Sequence, residues 1–220
     1  MNIQAVLFDM DGVLIDSEPA WQKAELEVFN QLGLNLTQTD VEQTIGLRID
    51  LVVDYWYKRR PWPKYDNAQT TQAIAEKVVA FILKEGQALP GILDAISLCK
   101  SFGLKVGLAT SSPHYIIDAV LNRLALNNAF DAIESAEHLA LGKPHPEVYL
   151  NCAKALAVAA EHCLAIEDSF NGLVAARAAS MQTIAIPEAK FANDAKWVIA
   201  HHQLTDATEF GQVLNQYQLD

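Results

Sequence analysis

Five short apolar runs, spaced along a chain of 220 residues, constrain its fold more than any other feature of the sequence. Between the later four runs, apolar residues recur at helical spacing, as Ile116, Val120 and Leu124 do. Strands that alternate with helices form a parallel sheet with helices on both faces. The sequence therefore predicts an α/β fold with a parallel sheet. The five runs are 3–8, 104–109, 131–135, 163–167 and 182–187.

Residues 18–87, the helical insertion, break this alternation. They contain amphipathic helical patterns at 20–32 and 73–84 and no convincing strand. We therefore expect a small helical cap domain over 18–87, inserted into a core formed by 1–17 and 88–220. Because the two ends of an insertion must lie close together, we expect this cap beside the end of the first strand, where it can serve as a lid.

Charge and composition exclude several classes of partner. The formal net charge of −11 disfavours sequence-independent binding to DNA or RNA, which needs clustered Lys and Arg. The three cysteines lack a CxxC spacing and fit free thiols better than disulfides or a structural zinc site. The amino terminus has no basic stretch before its apolar segment, unlike a signal peptide, and no apolar run approaches the ~18 residues of a membrane-spanning helix. We expect a cytoplasmic monomer that binds neither nucleic acid nor membranes.

Polar side chains follow four of the five predicted strands. In open α/β sheets, ligands bind in the crevice outside the carboxyl ends of the strands. A single polar residue at a strand end is more often part of a turn or a helix cap. Polar residues at four strand ends are unlikely to arise by chance, so they predict a binding site. The positions are Asp9 and Asp11 after the first run, Thr110, Ser111 and Ser112 after the second, Lys143 after the third, and Glu167 and Asp168 after the fourth.

The residue types at these ends indicate phosphoryl transfer. Four carboxylates in a small cleft need a cation or a proton, and oxygen ligands suit Mg²⁺. Hydroxyl and ammonium donors suit a phosphate. Asp9 and Asp11 lie on one face of an extended chain, so Asp9 can attack phosphorus while Asp11 supplies and removes a proton. The donors are Thr110, Ser111 and Lys143.

Four stretches resemble, in order, the motifs of the haloacid dehalogenase-like phosphatases. They are DMDGVLIDSE (9–18), ATSS (109–112), GKPHPE (142–147) and IEDSFNG (166–172). The resemblance spans nearly the whole chain. It implies a Rossmann-like core with a helical cap between the first two motifs, as the helical pattern of 18–87 also predicts.

The same resemblance implies roles for the individual residues. Asp9 would be the nucleophile and a Mg²⁺ ligand, and Asp11 the general acid and base, with its main-chain carbonyl also on the metal. Thr110, Ser111 and Lys143 would hold the transferred phosphoryl group. Asp168 would complete the metal site, with Glu167 ligating the ion or steering a metal-bound water.

More narrowly, the chain looks like bacterial sugar phosphatases of this family that act on 2-deoxyglucose 6-phosphate, hexose phosphates and hexitol phosphates. Arg48 is the leading candidate for a sugar contact from the cap, with Trp21 and Glu18 behind it. The simpler readings are that Arg48 pairs with Asp50 or Asp54 and that Trp21 belongs to the cap core. Ser112 would likewise simply cap the helix that begins at Pro113.

Three other functions remain as alternatives. A sugar phosphomutase would use the same core, although the phosphomutases carry a cap histidine at about the position of Trp21. A dehalogenase would not need Asp11, because a halide leaves without a proton. A receiver-like signalling module also collects acids, a hydroxyl and a lysine at sheet ends, but it would place its phosphorylated Asp after a later strand.

Overall fold

A computed structural model describes residues 2–218 and confirms the predicted α/β fold. Six strands form one sheet in the order β3-β2-β1-β4-β5-β6, and all of its pairings are parallel. The first strand therefore lies at the centre, between β2 and β4. The strands are β1 Ala5–Phe8, β2 Lys105–Thr110, β3 Ala132–Ser135, β4 Cys163–Glu167, β5 Gln182–Ala185 and β6 His202–Gln203.

Helices cover both faces of the sheet, and four of them lie in the helical insertion. The helical insertion carries α1 Glu18–Gln31, α2 Gln38–Val41, α3 Ile49–Arg59 and α4 Asn67–Glu85. After it follow α5 Ile92–Ser101, α6 His114–Arg123, α7 Glu147–Ala155, α8 Phe170–Ala178 and α9 Phe210–Gln218. The division into a cap over 18–87 and a core over 1–17 and 88–220 stays a prediction, and Met1 and the last two residues lie outside the described part of the chain.

Strand β1 is apolar throughout because both of its faces are covered. Val6 and Phe8 belong to the larger buried cluster, while Ala5 and Leu7 belong to a second cluster on the opposite face. Successive side chains of a strand point to opposite faces, so a strand buried on both sides needs four apolar residues in a row. This burial leaves Asp9, the next residue, at the end of the central strand.

The two ends of the helical insertion lie side by side. Ile15 forms an antiparallel bridge with Ala88, and the Leu89 amide donates to the Leu14 carbonyl at 3.0 Å. Gly12 has φ +72°, and a Cβ there would overlap the carboxylate of Asp168. The left-handed turn at Gly12 therefore leads the chain out of β1 and into the insertion without obstructing the acidic residues.

The apolar pattern does not predict strand β6. This strand consists of two polar residues, His202 and Gln203, too few for an alternating pattern to be recognised. Its pairing to Ile184 and Ala185 of β5 places it at the edge of the sheet. Within residues 2–218, no helix is both long and apolar enough to cross a membrane.

Candidate active site

The ends of the central strands bring the predicted residues to one edge of the sheet. Phe8, the last residue of β1, pairs with Leu108 of β2 on one side and Ile166 of β4 on the other. Asp9 therefore emerges between Thr110 and Glu167. Lys143 comes from the loop between β3 and α7. One cavity is lined by side chains from these ends and from the helical insertion, among them Asp9, Asp11, Thr110, Ser111, Lys143 and Asp168.

Lys143 is buried and bonded to two carboxylates. Its Nζ donates to Asp9 Oδ1 at 2.7 Å and to Glu167 Oε1 at 2.6 Å, and it also donates to the Ala109 carbonyl at 3.1 Å. Burial alone would lower the pKa of Lys143, but the charges of Asp9 and Glu167 outweigh it and raise that pKa. The ammonium group therefore stays charged in the interior.

One ammonium charge does not offset the acids around it. Burial, then the charge of Glu167, raises the pKa of Asp9 to about 7 even though Lys143 opposes the shift. The pKa of Asp168 is raised well above its ordinary value by burial, then by Glu167 and Asp9. Asp9, Glu167 and Asp168 offer oxygen atoms within 4.8 Å of one another. This set of buried, mutually repelling oxygen donors fits a hard divalent cation such as Mg²⁺.

Tyr149 and Ser169 support Glu167 and were not identified from the sequence. The Tyr149 hydroxyl donates to Glu167 Oε1, and Ser169 donates to Oε2 through its amide at 3.3 Å and its hydroxyl at 3.2 Å. Glu167 is completely buried, and these contacts fix the carboxylate that in turn holds Lys143. The sequence signals were that Tyr149 lies in KPHPEVY, six positions after Lys143, and that Ser169 lies in the IEDSFNG motif, next to Asp168.

Three donors orient Asp11. Ser17 Oγ and Trp21 Nε1 donate to Oδ1 at 2.5 Å and 2.9 Å, and Ser112 Oγ donates to Oδ2 at 2.6 Å. The simpler reading of Ser112 is therefore wrong, because the N-cap of α6 is Pro113 without a side-chain hydrogen bond. Trp21 packs against the larger buried cluster, as its simpler reading predicted, and its indole also donates to Asp11. Asp11 is thus tied to β2 and to the helical insertion at once.

The hydroxyls after β2 suit a phosphate group. Thr110 is buried, and its Oγ1 accepts from the Ser112 amide at 3.0 Å. The Oγ of Ser111 is buried and has no hydrogen-bond partner among the described residues. An unpaired buried hydroxyl is costly, and a phosphate oxygen bound in the cavity would satisfy it. Ser111 is therefore consistent with its predicted place in the phosphate site.

Arg48 makes the ion pair that the simpler reading predicted. Its Nε and Nη2 donate to the two oxygens of Asp50 at 2.6 Å and 2.8 Å. Its Nη1 donates to the carbonyls of Ala136 and Leu139 at 2.5 Å and 2.7 Å. Four of the five guanidinium N–H groups are thereby used. Arg48 lines the cavity and joins the insertion to the loop after β3, while its contact with a sugar stays a prediction.

Glu18 lies at the start of α1 and also lines the cavity. Burial raises its pKa to about 7, although a hydrogen bond from Gln22 at 2.8 Å opposes the shift. Glu18 is thus placed where a sugar could reach it, and its predicted contact with a sugar stays a prediction. Asp54, the other predicted partner of Arg48, instead accepts from Asn67 and Tyr65.

Comparisons with known proteins cover nearly the whole chain. A family model for haloacid dehalogenase-like hydrolases matches residues 3–180, which include every predicted site residue. Hexitol phosphatase B of Escherichia coli strain K12 is 43% identical over 209 residues, covering 94% of each chain. A mutant of CbbY from Rhodobacter sphaeroides, solved with xylulose-(1,5)bisphosphate, has a TM-score of 0.86 at 26% identity and covers 95% of this chain and 96% of its own. A β-phosphoglucomutase from Clostridium difficile has a TM-score of 0.83 at 25% identity, with coverages of 98% and 97%.

Proposed function

Because this chain belongs to the haloacid dehalogenase-like hydrolase family, we propose that it is a Mg²⁺-dependent phosphatase of small sugar phosphates. The substrates are phosphomonoesters such as 2-deoxyglucose 6-phosphate, hexose phosphates and hexitol phosphates. The observation that carries the proposal is the cavity in which Asp9, Asp11, Lys143 and the hydroxyls after β2 meet beneath the helical insertion. The likeness to hexitol phosphatase B supports the choice of a sugar ester.

The reaction takes place in two steps at Asp9. An Asp9 carboxylate oxygen attacks phosphorus, and the bond between phosphorus and the sugar oxygen breaks. Asp11 gives a proton to that oxygen, so the sugar leaves as an alcohol and an aspartyl-phosphate remains. Asp11 then takes a proton from a water molecule, which attacks the aspartyl-phosphate and releases inorganic phosphate. The three donors to Asp11 orient its carboxylate for both proton transfers.

The phosphoryl group is held by donors from two strands. Thr110 and Ser111 approach it from the end of β2, and Lys143 lies against Asp9, so its charge is already where negative charge develops. Asp9 and Asp168 would hold Mg²⁺, with the main-chain carbonyl of Asp11 as a further ligand and Glu167 either ligating the ion or holding Lys143. When bound, the ion supplies positive charge that lowers the repulsion between Asp9 and an incoming phosphate.

A screen of phosphate release tests the proposed function. Hexose, deoxyhexose, hexitol, pentose and nucleoside monophosphates are compared with and without Mg²⁺. We expect sugar and hexitol phosphates to be hydrolysed with kcat/KM above that of the nucleotides, and chelation to abolish turnover. Activity on none of the sugar esters, or full activity after exhaustive chelation, would contradict the proposal.

Removal of Asp168 is expected to eliminate metal-dependent stabilisation. A ligand present at a hundred times its Kd stabilises a protein by about 2.7 kcal/mol, which is about 5–10 °C in Tm for a chain of this size. Differential scanning calorimetry should show this rise for the wild type with Mg²⁺ and none for Asp168→Asn. Without Mg²⁺, Asp168→Asn should unfold at a higher temperature than the wild type, because one of three clustered, mutually repelling carboxyls is gone.

The exposed carboxylate of Asp118 on α6 provides the matched control. Asp118→Asn changes the net charge equally and should keep the full Mg²⁺-dependent rise in Tm. If Mg²⁺ raises the Tm of both variants equally, Asp168 is not a ligand of the metal.

Arg48→Ala is expected to raise KM for sugar phosphates about tenfold, as the loss of one charged hydrogen bond would. The KM for p-nitrophenyl phosphate should rise less, because that ester offers no hydroxyl to the remaining guanidinium N–H. Asp50→Asn is the control, since it weakens the ion pair but keeps the guanidinium. Equal rises in KM for both esters would limit Arg48 to joining the insertion to the loop after β3.

A sugar phosphomutase is the second candidate, favoured by the likeness to β-phosphoglucomutase. In that reaction the aspartyl-phosphate would return its phosphate to another hydroxyl of the sugar. Product analysis separates the two functions: the phosphatase yields one inorganic phosphate per sugar, whereas the mutase yields an isomeric sugar phosphate without release. The contact of Trp21 with Asp11, where the phosphomutases carry a histidine, supports the phosphatase.

A further inference from the structure

In the described part of the chain, two residues that line the active-site cavity bury a side-chain oxygen without a hydrogen-bond partner. They are Ser111, through Oγ, and Glu25, through Oε2. Buried polar atoms in folded proteins are almost always paired, and an unpaired one needs an explanation. The phosphate explains Ser111, which lies at the end of β2. Glu25 lies on α1 of the helical insertion, so the group that satisfies it must reach the other side of the cavity.

Glu25 is unusual among acidic residues because it is almost completely buried. Its exposed fraction is 8%, and no hydrogen bond or ion pair satisfies Oε2 within residues 2–218. Burial, and then the charge of Glu18, raise the pKa of Glu25 well above its ordinary value. A protonated carboxyl group both donates and accepts a hydrogen bond. A protonated Glu25 carboxyl can therefore form hydrogen bonds of both kinds with a sugar hydroxyl, which is also both a donor and an acceptor.

Other polar groups of the helical insertion that line the cavity already have partners. Trp21 donates to Asp11, and the Thr44 hydroxyl donates to the Val41 carbonyl at 2.9 Å. Arg48 uses four N–H groups on Asp50 and two carbonyls. Among the described residues of the insertion that line the cavity, Glu25 alone buries a side-chain oxygen or nitrogen without a hydrogen-bond partner. The cavity also contains apolar side chains such as Val41 and Leu47.

The position of Glu25 on α1 suits the far end of a sugar. Trp21 and Glu25 are four residues apart and lie on the same face of the helix. Glu25 lies about one helical turn, about 5–6 Å, beyond Trp21 along α1, and the Trp21 indole contacts Asp11, the acid that protonates the leaving oxygen. A sugar whose leaving oxygen lies at Asp11 would extend past Trp21 to reach Glu25 with a hydroxyl remote from the phosphate.

We propose that Glu25 determines specificity by hydrogen-bonding a hydroxyl of the sugar that is remote from the phosphate. The inference rests on the proposed sugar-phosphatase function and deepens it. An ester with a hydroxyl at that position satisfies the buried carboxyl. An apolar ester of the same length leaves the carboxyl unpaired in a cavity that has lost its water, and is rejected for that reason.

The test compares two esters of similar length on wild type and Glu25→Met. One is the sugar or hexitol phosphate that the wild type hydrolyses best, and the other is n-hexyl phosphate, which has no hydroxyl. Met has similar length and is unbranched, but it does not replace the carboxyl's hydrogen bonds. We expect kcat/KM for the sugar ester to fall about 10- to 100-fold, mainly through KM, and that for hexyl phosphate to rise.

Two further measurements distinguish this role from a structural one. Glu25→Met should unfold at a higher temperature than the wild type, because an unpaired buried carboxyl has been replaced by an apolar group. The control Glu27→Met changes an exposed acid on the same helix, which pairs with Lys77 at 2.5 Å, and should leave the preference between the esters unchanged. If Glu25→Met fails to fold, Glu25→Ala is expected to shift the preference in the same direction.

The outcomes separate the inference from the function beneath it. If the wild type hydrolyses hexyl phosphate but no sugar ester, the proposed function fails and the inference falls with it. If the wild type prefers the sugar ester and Glu25→Met keeps that preference, the function stands and the inference is overturned. A lower Tm with equal losses on both esters would assign Glu25 a structural role and would also overturn it.

Discussion

Asp9→Asn is expected to reduce phosphate release from sugar phosphates by about 10⁴-fold or more, as removal of a catalytic nucleophile does in other enzymes. The amide nitrogen and oxygen of Asn do not form a stable acyl-phosphate, so the first step has no acceptor for the phosphoryl group. Asp9 directly follows the last residue of the central strand, and its Oδ1 accepts a hydrogen bond from Lys143 Nζ at 2.7 Å. The same ammonium group also donates to Glu167 at the end of β4. The measurement is steady-state phosphate release at saturating Mg²⁺ and sugar phosphate.

The fold of Asp9→Asn should survive the change. Asn has nearly the same shape, Lys143 keeps its bond to Glu167 at 2.6 Å, and one of three repelling carboxyls is lost. We therefore expect a Tm equal to or above that of the wild type in the absence of Mg²⁺. Isothermal titration calorimetry should still detect binding of the sugar phosphate, which separates lost chemistry from lost binding.

Asp16→Asn is the matched control for this variant. Asp16 is an exposed acid in the same motif and is given no role in the reaction, so its amide variant should retain activity within about twofold. Substantial turnover by Asp9→Asn, with the protein shown by mass spectrometry to retain the amide, would contradict the assignment of the nucleophile.

Asp11→Ala is expected to slow hydrolysis of sugar phosphates by about 10²–10⁴-fold, the usual contribution of a general acid and base. Both steps need its proton, since a sugar alkoxide is a poor leaving group and water is a poor nucleophile. Alanine keeps the main-chain carbonyl, so a metal contact at that atom is not removed. The three donors that held the carboxylate, Ser17, Trp21 and Ser112, remain in place.

A substrate with a better leaving group tests the two roles of Asp11 separately. p-Nitrophenolate leaves without a proton, so Asp11→Ala should still transfer phosphate from p-nitrophenyl phosphate to Asp9. Hydrolysis of the aspartyl-phosphate still needs the base, so stopped-flow absorbance should show a burst of about one p-nitrophenolate per chain, followed by slow turnover. Equal slowing for both esters without a burst would limit Asp11 to a structural role.

Trp21→Phe provides a graded comparison. It removes one hydrogen bond to Asp11 and keeps the carboxylate and most of the aromatic volume. We expect a smaller loss of kcat than in Asp11→Ala, and no burst, because Asp11 still acts as the base. A loss as large as that of Asp11→Ala would mean that the orientation of the carboxylate matters as much as its presence.

The core of this fold follows from local patterns in the chain. Apolar runs such as 163–167 predict strands because a strand buried on both faces must be apolar, and helical spacing between runs requires a parallel sheet. The carboxyl ends of parallel strands lie at one edge of the sheet. The sequence alone therefore predicts that Asp9, Thr110, Lys143 and Glu167 lie close together. The edge strand β6 was missed because two polar residues carry no such pattern.

The pairing of side chains, in contrast, was decided by the tertiary structure. Asp9 and Lys143 are 134 positions apart in sequence, and Asp11 and Ser112 are 101 apart. Ser112 had a plausible local role as a helix cap and Trp21 one as core, but packing directs both to Asp11. Arg48 had two plausible partners, and the structure gives it Asp50 together with two carbonyls beyond β3.

The sequence by itself therefore determined the kind of sheet and the place of the helices inserted between β1 and β2, and it predicted which polar residues follow the strands. Only the tertiary structure decided which of those groups are bonded to each other and that Glu25 Oε2 has no hydrogen-bond partner within residues 2–218. The physical reason is that residue type and periodicity act over a few neighbouring positions, whereas burial and hydrogen bonding depend on which distant segments pack together.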